Sequence, residues 1–229
     1  MTCIVVNNSA HVSDQDVVTA CAAAQAWARK VAVAWDAAWP AVRWMSPAQF
    51  AANRSAATFG VIWLQDGLDV QGAAGYHDVE AMRPVGKVDV AGTIAAGMSW
   101  TVTLTHELGE LILDPWCVAE SRYDTDSTIA YEICDPPESD QFAILVNGIK
   151  CSDYLLPSYF AGGPGPYDAG HHLTGPAPTL LPGGYASVCV GGKWSQITPN
   201  GEELPAKAVQ SAINGRHALR LAMLAAKAA

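Results

Sequence analysis

The sequence predicts an α+β fold with a mixed sheet, because a long helix and several short strands precede a second helix that carries the most unusual residues of the chain. The long helix begins at Ser13-Asp14, since both residue types are favoured at helix starts, and ends at about Ala38, before Pro40. Apolar side chains recur at helical spacing along it, at Val17, Cys21, Ala24, Ala28, Val31 and Trp35.

Short runs rich in β-branched and aromatic residues, bounded by turn residues, predict the strands. Those in the first half of the chain lie at residues 1–8, 59–64, 75–78 and 87–90. Later hairpins are predicted from residues 142–151, around Asn147-Gly148, and from residues 185–197. Residues 161–184 are rich in Gly and Pro, which predicts an extended loop.

The length of 229 residues predicts one large domain with a sizeable core. We expect this domain to span residues 1–200. An Ala-rich C-terminal helical segment, residues 201–229, is expected to pack on the domain or on another subunit.

Composition excludes several classes of protein. Half of the residues are hydrophobic and 15% are charged, which is typical of a globular chain. The formal net charge of -9 and the scattered Lys and Arg residues argue against nucleic acid as a partner. No apolar run is long enough for a transmembrane helix, and the first residues lack the basic start and apolar core of a signal peptide. We therefore expect a cytoplasmic or virion-associated protein without membrane contact.

The six cysteines are widely spaced and form no C-x-x-C pair, which argues against a cysteine zinc site. Buried, reduced thiols are the expectation. A disulfide between Cys117 and Cys134 is the alternative.

The second helix contains His106-Glu107-Leu108-Gly109-Glu110, an H-E-x-x-E sequence that differs by one residue from the H-E-x-x-H of zinc metallopeptidases. Residues four apart lie on one face of a helix, so His106 and Glu110 can reach the same metal ion. Glu107 occupies the position of the general base in the familiar motif. Zinc is the expected metal, with calcium or manganese as alternatives because a Glu replaces the second His.

An ordinary amphipathic helix is the competing interpretation of this motif. Its surroundings favour a site, because Leu111, Ile112 and Leu113 continue an apolar helix in which acids are costly unless they are exposed or bound. Ser99 is a candidate N-cap and Pro115 marks the exit, which predicts one helix over residues 99–113.

A third ligand is expected downstream, where Glu132 and Asp135 lie close together in the chain. We interpret Glu132 as a metal ligand and Asp135 as an acid at the metal site that orients a metal-bound histidine. The alternative is an acidic turn, since Asp135 is followed by two prolines. Asp114 and Glu120 are further ligand candidates.

His77, on a predicted strand before the motif helix, is the other candidate catalytic residue. It could stabilise an oxyanion or supply a ligand. The competing interpretation is a histidine hydrogen-bonded to Asp78 or to the backbone. Tyr131 and Tyr154 are candidate oxyanion donors, and the sequence does not choose between them.

Several short motifs recur together in this order, and through them the chain resembles an uncharacterised group of proteins from phages and actinobacteria. The motifs are Gly75 to Asp78, Thr103 to Pro115, Glu132 to Asp135, Cys151 to Phe160 and Leu181 to Val188. The resemblance covers roughly residues 60 to 200. A looser similarity, confined to H-E-x-x-E and E-I-x-D, links the chain to plant EXORDIUM-type proteins. Both imply a zincin-like domain with a metal-motif helix whose second histidine is replaced.

Two functions of different classes follow. The first is a metal-dependent hydrolase, a zinc metallopeptidase acting on a peptide or protein substrate, in which Glu107 deprotonates water. The second is a non-catalytic virion or host-interaction protein that keeps the zincin fold with a structural or degenerate metal site.

Overall fold

The computed structural model describes residues 1–70 and 72–205, which form an α+β fold with a mixed sheet, as predicted. The strands are β1 (Thr2–Asn7), β2 (Ala41–Met45), β3 (Gly60–Gln65), β4 (Gly75–Glu80), β5 (Arg83–Asp89), β6 (Glu120–Asp124), β7 (Ser127–Ala130), β8 (Ile144–Val146), β9 (Ile149–Cys151), β10 (Ala186–Val190), β11 (Lys193–Ile197) and β12 (Glu203–Pro205). The helices are α1 (Asp14–Ala34), α2 (Pro47–Ala52), α3 (Val90–Ala95), α4 (Trp100–Leu113) and α5 (Pro157–Ala161). Single 3₁₀ turns lie at Arg54–Ala56 and Asp140–Phe142.

The first sheet has five strands in the order β2-β1-β3-β5-β4. Strands β2, β1, β3 and β5 run parallel, and β4 pairs with β5 antiparallel at the edge. The second sheet has the antiparallel order β12-β11-β10-β7-β6, and β8 and β9 form a separate hairpin. The tight turn of that hairpin is the predicted Asn147-Gly148, with φ of 51° and 80°.

Helices α1 and α4 pack against each other and cover one face of the first sheet. Strand β1 is buried on both faces: Cys3 and Val5 join the main core with α1 and α4, while Ile4 and Val6 pack with Phe50 of α2 on the other side. Burial on both faces explains why the residues of this strand form a continuous apolar run in the sequence.

Helix α1 begins at the predicted position. The Ser13 hydroxyl oxygen accepts a hydrogen bond from the backbone amide of Asp16, and the Asp16 carboxylate accepts one from the backbone amide of Ser13. The helix ends at Ala34, earlier than the predicted Ala38, because Trp35 adopts a non-helical conformation as the C-cap.

Helix α4 confirms the single helix predicted over residues 99–113. Ser99 occupies the N-cap position, but its side chain contacts Thr101 Oγ1 at 2.9 Å rather than capping the backbone. Asp114 ends the helix, and Pro115 follows. The Asp114 side chain accepts hydrogen bonds from the backbone amides of Val118 and Ala119, which fixes the turn after α4.

Gly109 allows α4 to approach its neighbours closely. A methyl group at this position would lie 2.7 Å from Trp27 of α1 and 3.0 Å from the Cys134 sulfur. Both distances are too short for packed carbon and sulfur atoms, so only glycine fits without displacement.

We expect Gly109→Ala to destabilise the protein. Overpacking costs about 1–3 kcal/mol, which exceeds the gain of roughly 1 kcal/mol or less that Ala brings to a helix. Urea unfolding should therefore show a net loss of up to about 2 kcal/mol. Gly163→Ala is the matched control, because nothing lies within 4 Å of an added methyl group there. Equal stability of the two variants would contradict the packing role of Gly109.

The six cysteines are free, so the alternative of a Cys117–Cys134 disulfide is wrong. The predicted C-terminal helical segment lies largely outside the described residues, which end with β12. Within residues 1–70 and 72–205, no helix combines the length and the apolar character needed to cross a lipid bilayer.

Candidate metal centre

Helix α4 carries His106, Glu107 and Glu110 into the interior. Leu104, Leu108 and Leu111 are completely buried in the core on the side that faces α1 and the sheet. The polar residues are also buried, with His106 7% and Glu110 3% exposed. The Nε2 atom of His106 lies 3.0 Å from Oε1 of Glu110, as their spacing of four residues requires.

The segment after β7 brings a second carboxylate to His106. Oδ1 of Asp135 lies 3.1 Å from His106 Nε2. The backbone carbonyl of Asp135 accepts hydrogen bonds from the Tyr185 and Glu138 amides, which fixes this segment. His106, Glu110 and Asp135 therefore form a buried group whose ligand atoms all lie within 4.8 Å of one another.

Glu132 lies on the other side of the site. Its Oε2 atom is 3.7 Å from Nε2 of His77, and it groups with His77 and Asp114 rather than with His106. The structure thus brings six of the predicted site residues to one cavity, namely His77, His106, Glu107, Glu110, Glu132 and Asp135. Oδ1 of Asp135 and Oε1 of Glu110 lie against the same nitrogen of His106, Nε2, whereas an acid that orients a metal-bound histidine contacts the other ring nitrogen.

His77 projects from the edge strand β4 and is 6% exposed. Its Nδ1 atom lies 2.9 Å from Oε2 of Glu110. The neighbouring Asp78 instead accepts a hydrogen bond from the backbone of Val79. His77 is therefore tied to Glu110 of the metal motif, not to Asp78.

Glu107 is 2% exposed and lies between α4 and the sheet. Two glycines make room for it: a methyl group on Gly75 would collide with its carboxylate, and one on Gly86 would lie 3.2 Å from its Cβ. Its Oε2 atom has no hydrogen-bond partner among the described residues. A buried carboxylate oxygen without a partner is costly, so this atom is positioned for a ligand or a reacting group.

Within the described part of the chain, Nε2 of His77 and Oε1 of Glu110 are likewise buried without a hydrogen bond. Oε1 lies 3.0 Å from His106 Nε2, so the contact is short but not aligned as a hydrogen bond. Ligand atoms around one tetrahedral zinc ion, with bonds of about 2.0–2.1 Å, lie roughly 3.3 Å apart. Short, misaligned contacts between donor atoms are what a shared cation would produce.

Burial and neighbouring charges shift the pKa values of the site residues in both directions. Burial raises the pKa of Glu107 well above its usual value, and burial together with Glu110 does the same for the pKa of Asp135. Burial alone would lower the pKa of His106, but Glu110 and Asp135 raise it well above its usual value. Burial would raise the pKa of Glu110, but His106 and His77 hold it below the usual range.

The site opens into a cavity of about 410 Å³. His77, His106, Glu107 and Glu110 line it, and among the described residues no Lys or Arg does. The basic side chains among the described lining residues are therefore histidines, which are also common metal ligands.

Tyr185 and Glu138 also line the cavity and were missed from sequence. Burial, followed by the charge of Asp135, raises the pKa of Tyr185 well above its usual value. Tyr131 and Tyr154, the oxyanion donors considered from sequence, do not line the cavity: they pack edge-on against Trp35 and Trp27. The only sequence indication for Tyr185 was its place in the last of the recurring motifs. A single tyrosine in a loop does not show where its side chain points.

Asp153, Asp168 and His172 form a separate group, in which the two aspartates are buried and His172 is exposed. The Asp168 carboxylate accepts hydrogen bonds from the backbone of His172 and Leu173, and Asp153 accepts from Tyr154 and Gly170. Their oxygens are already satisfied, so this group holds the Gly- and Pro-rich loop in place.

Comparison with known protein families, with curated protein sequences and with solved structures found no match to this chain. Its function is therefore inferred from the site itself.

Proposed function

We propose that the chain is a zinc-dependent hydrolase of zincin-like architecture that cleaves peptide bonds. The observation that carries this proposal is the buried group of His106, Glu110 and Asp135, with the unpartnered carboxylate of Glu107 beside it in an open cavity. One imidazole and two carboxylates are competent zinc ligands. Manganese and calcium are the alternatives, because the additional carboxylate favours harder ions.

The surrounding architecture supports the zincin-like assignment. The motif helix follows an antiparallel edge strand, β4, whose residues Gly75, Tyr76 and His77 line the cavity. An edge strand beside a cleft can pair with an extended peptide through backbone hydrogen bonds. This feature favours a peptide over a compact small molecule as the substrate.

In the proposed mechanism, His106, Glu110 and Asp135 hold the cation. When bound, the cation supplies Lewis acidity that activates water and polarises the scissile carbonyl. Glu107 accepts the proton of the attacking water and returns it to the leaving amine. His77 positions Glu110 through the contact of 2.9 Å between Nδ1 and Oε2.

Metal analysis of ligand variants tests the proposed ligands. Glu110→Gln and Asp135→Asn should each lower zinc affinity at least about 10-fold, because losing even an acid that only orients a ligand costs that much. Glu138→Gln, which changes a carboxylate in the same cavity but outside the ligand groups, should keep the zinc. Elemental mass spectrometry after dialysis against buffered zinc provides the measurement.

Unchanged zinc content in both ligand variants would contradict the assigned ligands. Wild-type protein that carries zinc but cleaves nothing in a peptide library would favour the non-catalytic alternative, a virion or host-interaction protein with a structural ion.

A further inference from the structure

A second group of buried ligand atoms adjoins the first but is not used by the proposed mechanism. It consists of a ring nitrogen of His77 with carboxylate oxygens of Asp114 and Glu132, which all lie within 4.8 Å of one another. These residues are 6%, 1% and 6% exposed. They come from different parts of the chain: the edge strand β4, the end of α4 and the segment after β7.

The ring of His77 is oriented with one nitrogen toward each group. Nδ1 lies 2.9 Å from Glu110 Oε2, a distance that suits an N–H donating to a carboxylate. Nε2 is buried, has no hydrogen-bond partner among residues 1–70 and 72–205, and lies 3.7 Å from Glu132 Oε2. A proton on Nδ1 leaves the Nε2 lone pair available, which is the usual state of a metal-ligating histidine held by a carboxylate.

The distance between Nε2 and Glu132 Oε2 is too long for a hydrogen bond but close to the separation of two ligands on one ion. Donor atoms around tetrahedral zinc lie roughly 3.3 Å apart, and those around larger ions lie further apart. Asp114 is already fixed, because the backbone amides of Val118 and Ala119 bind its Oδ1 at 2.7 and 2.9 Å. A ligand at this place would find rigid donors.

The interior around the two histidines is rich in acidic side chains. Five of them are buried there, namely Glu107, Glu110, Asp114, Glu132 and Asp135. Carboxylate oxygens are common ligands of divalent cations, so the composition of this interior suits a second cation.

We propose that a second divalent cation, zinc or manganese, binds between His77, Asp114 and Glu132. The imidazole and carboxylate donors suit these ions. Glu110 links the two sites, because one of its oxygens faces His106 of the first group and the other holds His77 of the second. His77, Asp114 and Glu132 are not ligands of the first site. Cation binding at the second site can therefore be lost while the first site still binds its cation.

Counting bound ions tests this proposal. Wild-type protein loaded with zinc and desalted should retain about two ions per chain by elemental mass spectrometry. Glu132→Gln and Asp135→Asn should each retain about one, because each removes a ligand from a different site. Glu138→Gln, the matched control, should retain the wild-type number. Melting temperatures of the metal-free variants show whether each one folds.

The outcomes separate the two proposals. One ion in the wild type that survives Glu132→Gln and is lost in Asp135→Asn overturns the second site alone. One ion in the wild type that is lost in both variants means that a single site uses ligands from both groups, and this result also overturns the second site. A wild type that binds no ion overturns both proposals. Should the variants fail to fold, a manganese titration of wild-type protein followed by electron paramagnetic resonance still counts the sites, and saturation at a single ion overturns the second.

Discussion

Replacing Glu107 with Gln is expected to abolish peptide hydrolysis while leaving the zinc content nearly unchanged. Gln keeps the shape of the side chain and loses only the carboxylate that accepts the proton of water. A positioned general base contributes about 10²–10⁴-fold to a rate, so turnover should fall by at least about 10²-fold. Glu107 forms no part of the proposed His106, Glu110 and Asp135 ligand set, so the zinc should remain.

Turnover is measured on a peptide library by mass spectrometry, with zinc content determined on the same samples. Glu202→Gln makes the same chemical change on an exposed loop and is the control. Full activity of Glu107→Gln would show that another group is the base. Loss of zinc along with activity would show that Glu107 is a ligand, which its grouping with His77 and Glu110 also permits.

Zinc binding is expected to release protons and to strengthen as the pH rises. Zinc requires neutral imidazole and ionised carboxylate. The metal-free site instead favours protonation, because the pKa of Asp135 is raised by burial and then Glu110, and the pKa of His106 is raised by Glu110 and Asp135 against the effect of burial. For each proton that zinc displaces, the apparent affinity for zinc should rise about tenfold per pH unit. This rise should continue until the pH reaches the pKa of the group that loses the proton.

The stability of the metal-free protein should change in the opposite direction. A raised folded-state pKa of His106 gives stabilisation that is complete below about pH 6.5 and is lost as the pH rises through the folded-state pKa. The rise in melting temperature on adding zinc should therefore be larger at about pH 8 than at about pH 6. Titration calorimetry in two buffers of different ionisation enthalpy counts the protons released. Zinc affinity that is independent of pH would contradict the proposed ligands.

The metal-motif helix could be predicted from sequence because its information is local. Apolar spacing, a cap candidate at Ser99 and Pro115 define one helix, and a fixed helical geometry then places His106 and Glu110 on one face. The strand that carries His77 was predicted on similar grounds. Its partner Glu110 was not, because that contact depends on β4 pairing antiparallel at the edge of the sheet.

The separate positions of Glu132 and Asp135 could not be obtained from the sequence. Both lie in a segment without helical or strand periodicity, so spacing says nothing about where each side chain points. Their directions follow from tertiary contacts, including the bond from the backbone of Leu155 to Ile133 and that from Tyr185 to Asp135. Strand β2 was missed for a related reason, since a short strand is defined by its pairing with β1 rather than by its own pattern.

Crystals of the zinc-loaded protein, measured on either side of the zinc absorption edge, test the central claim most directly. We expect an anomalous difference peak bounded by Nε2 of His106 and the carboxylates of Glu110 and Asp135, with bonds of about 2.0–2.2 Å. An empty position there in zinc-loaded crystals, with hydrogen bonds joining the three side chains instead, would contradict the proposed metal centre.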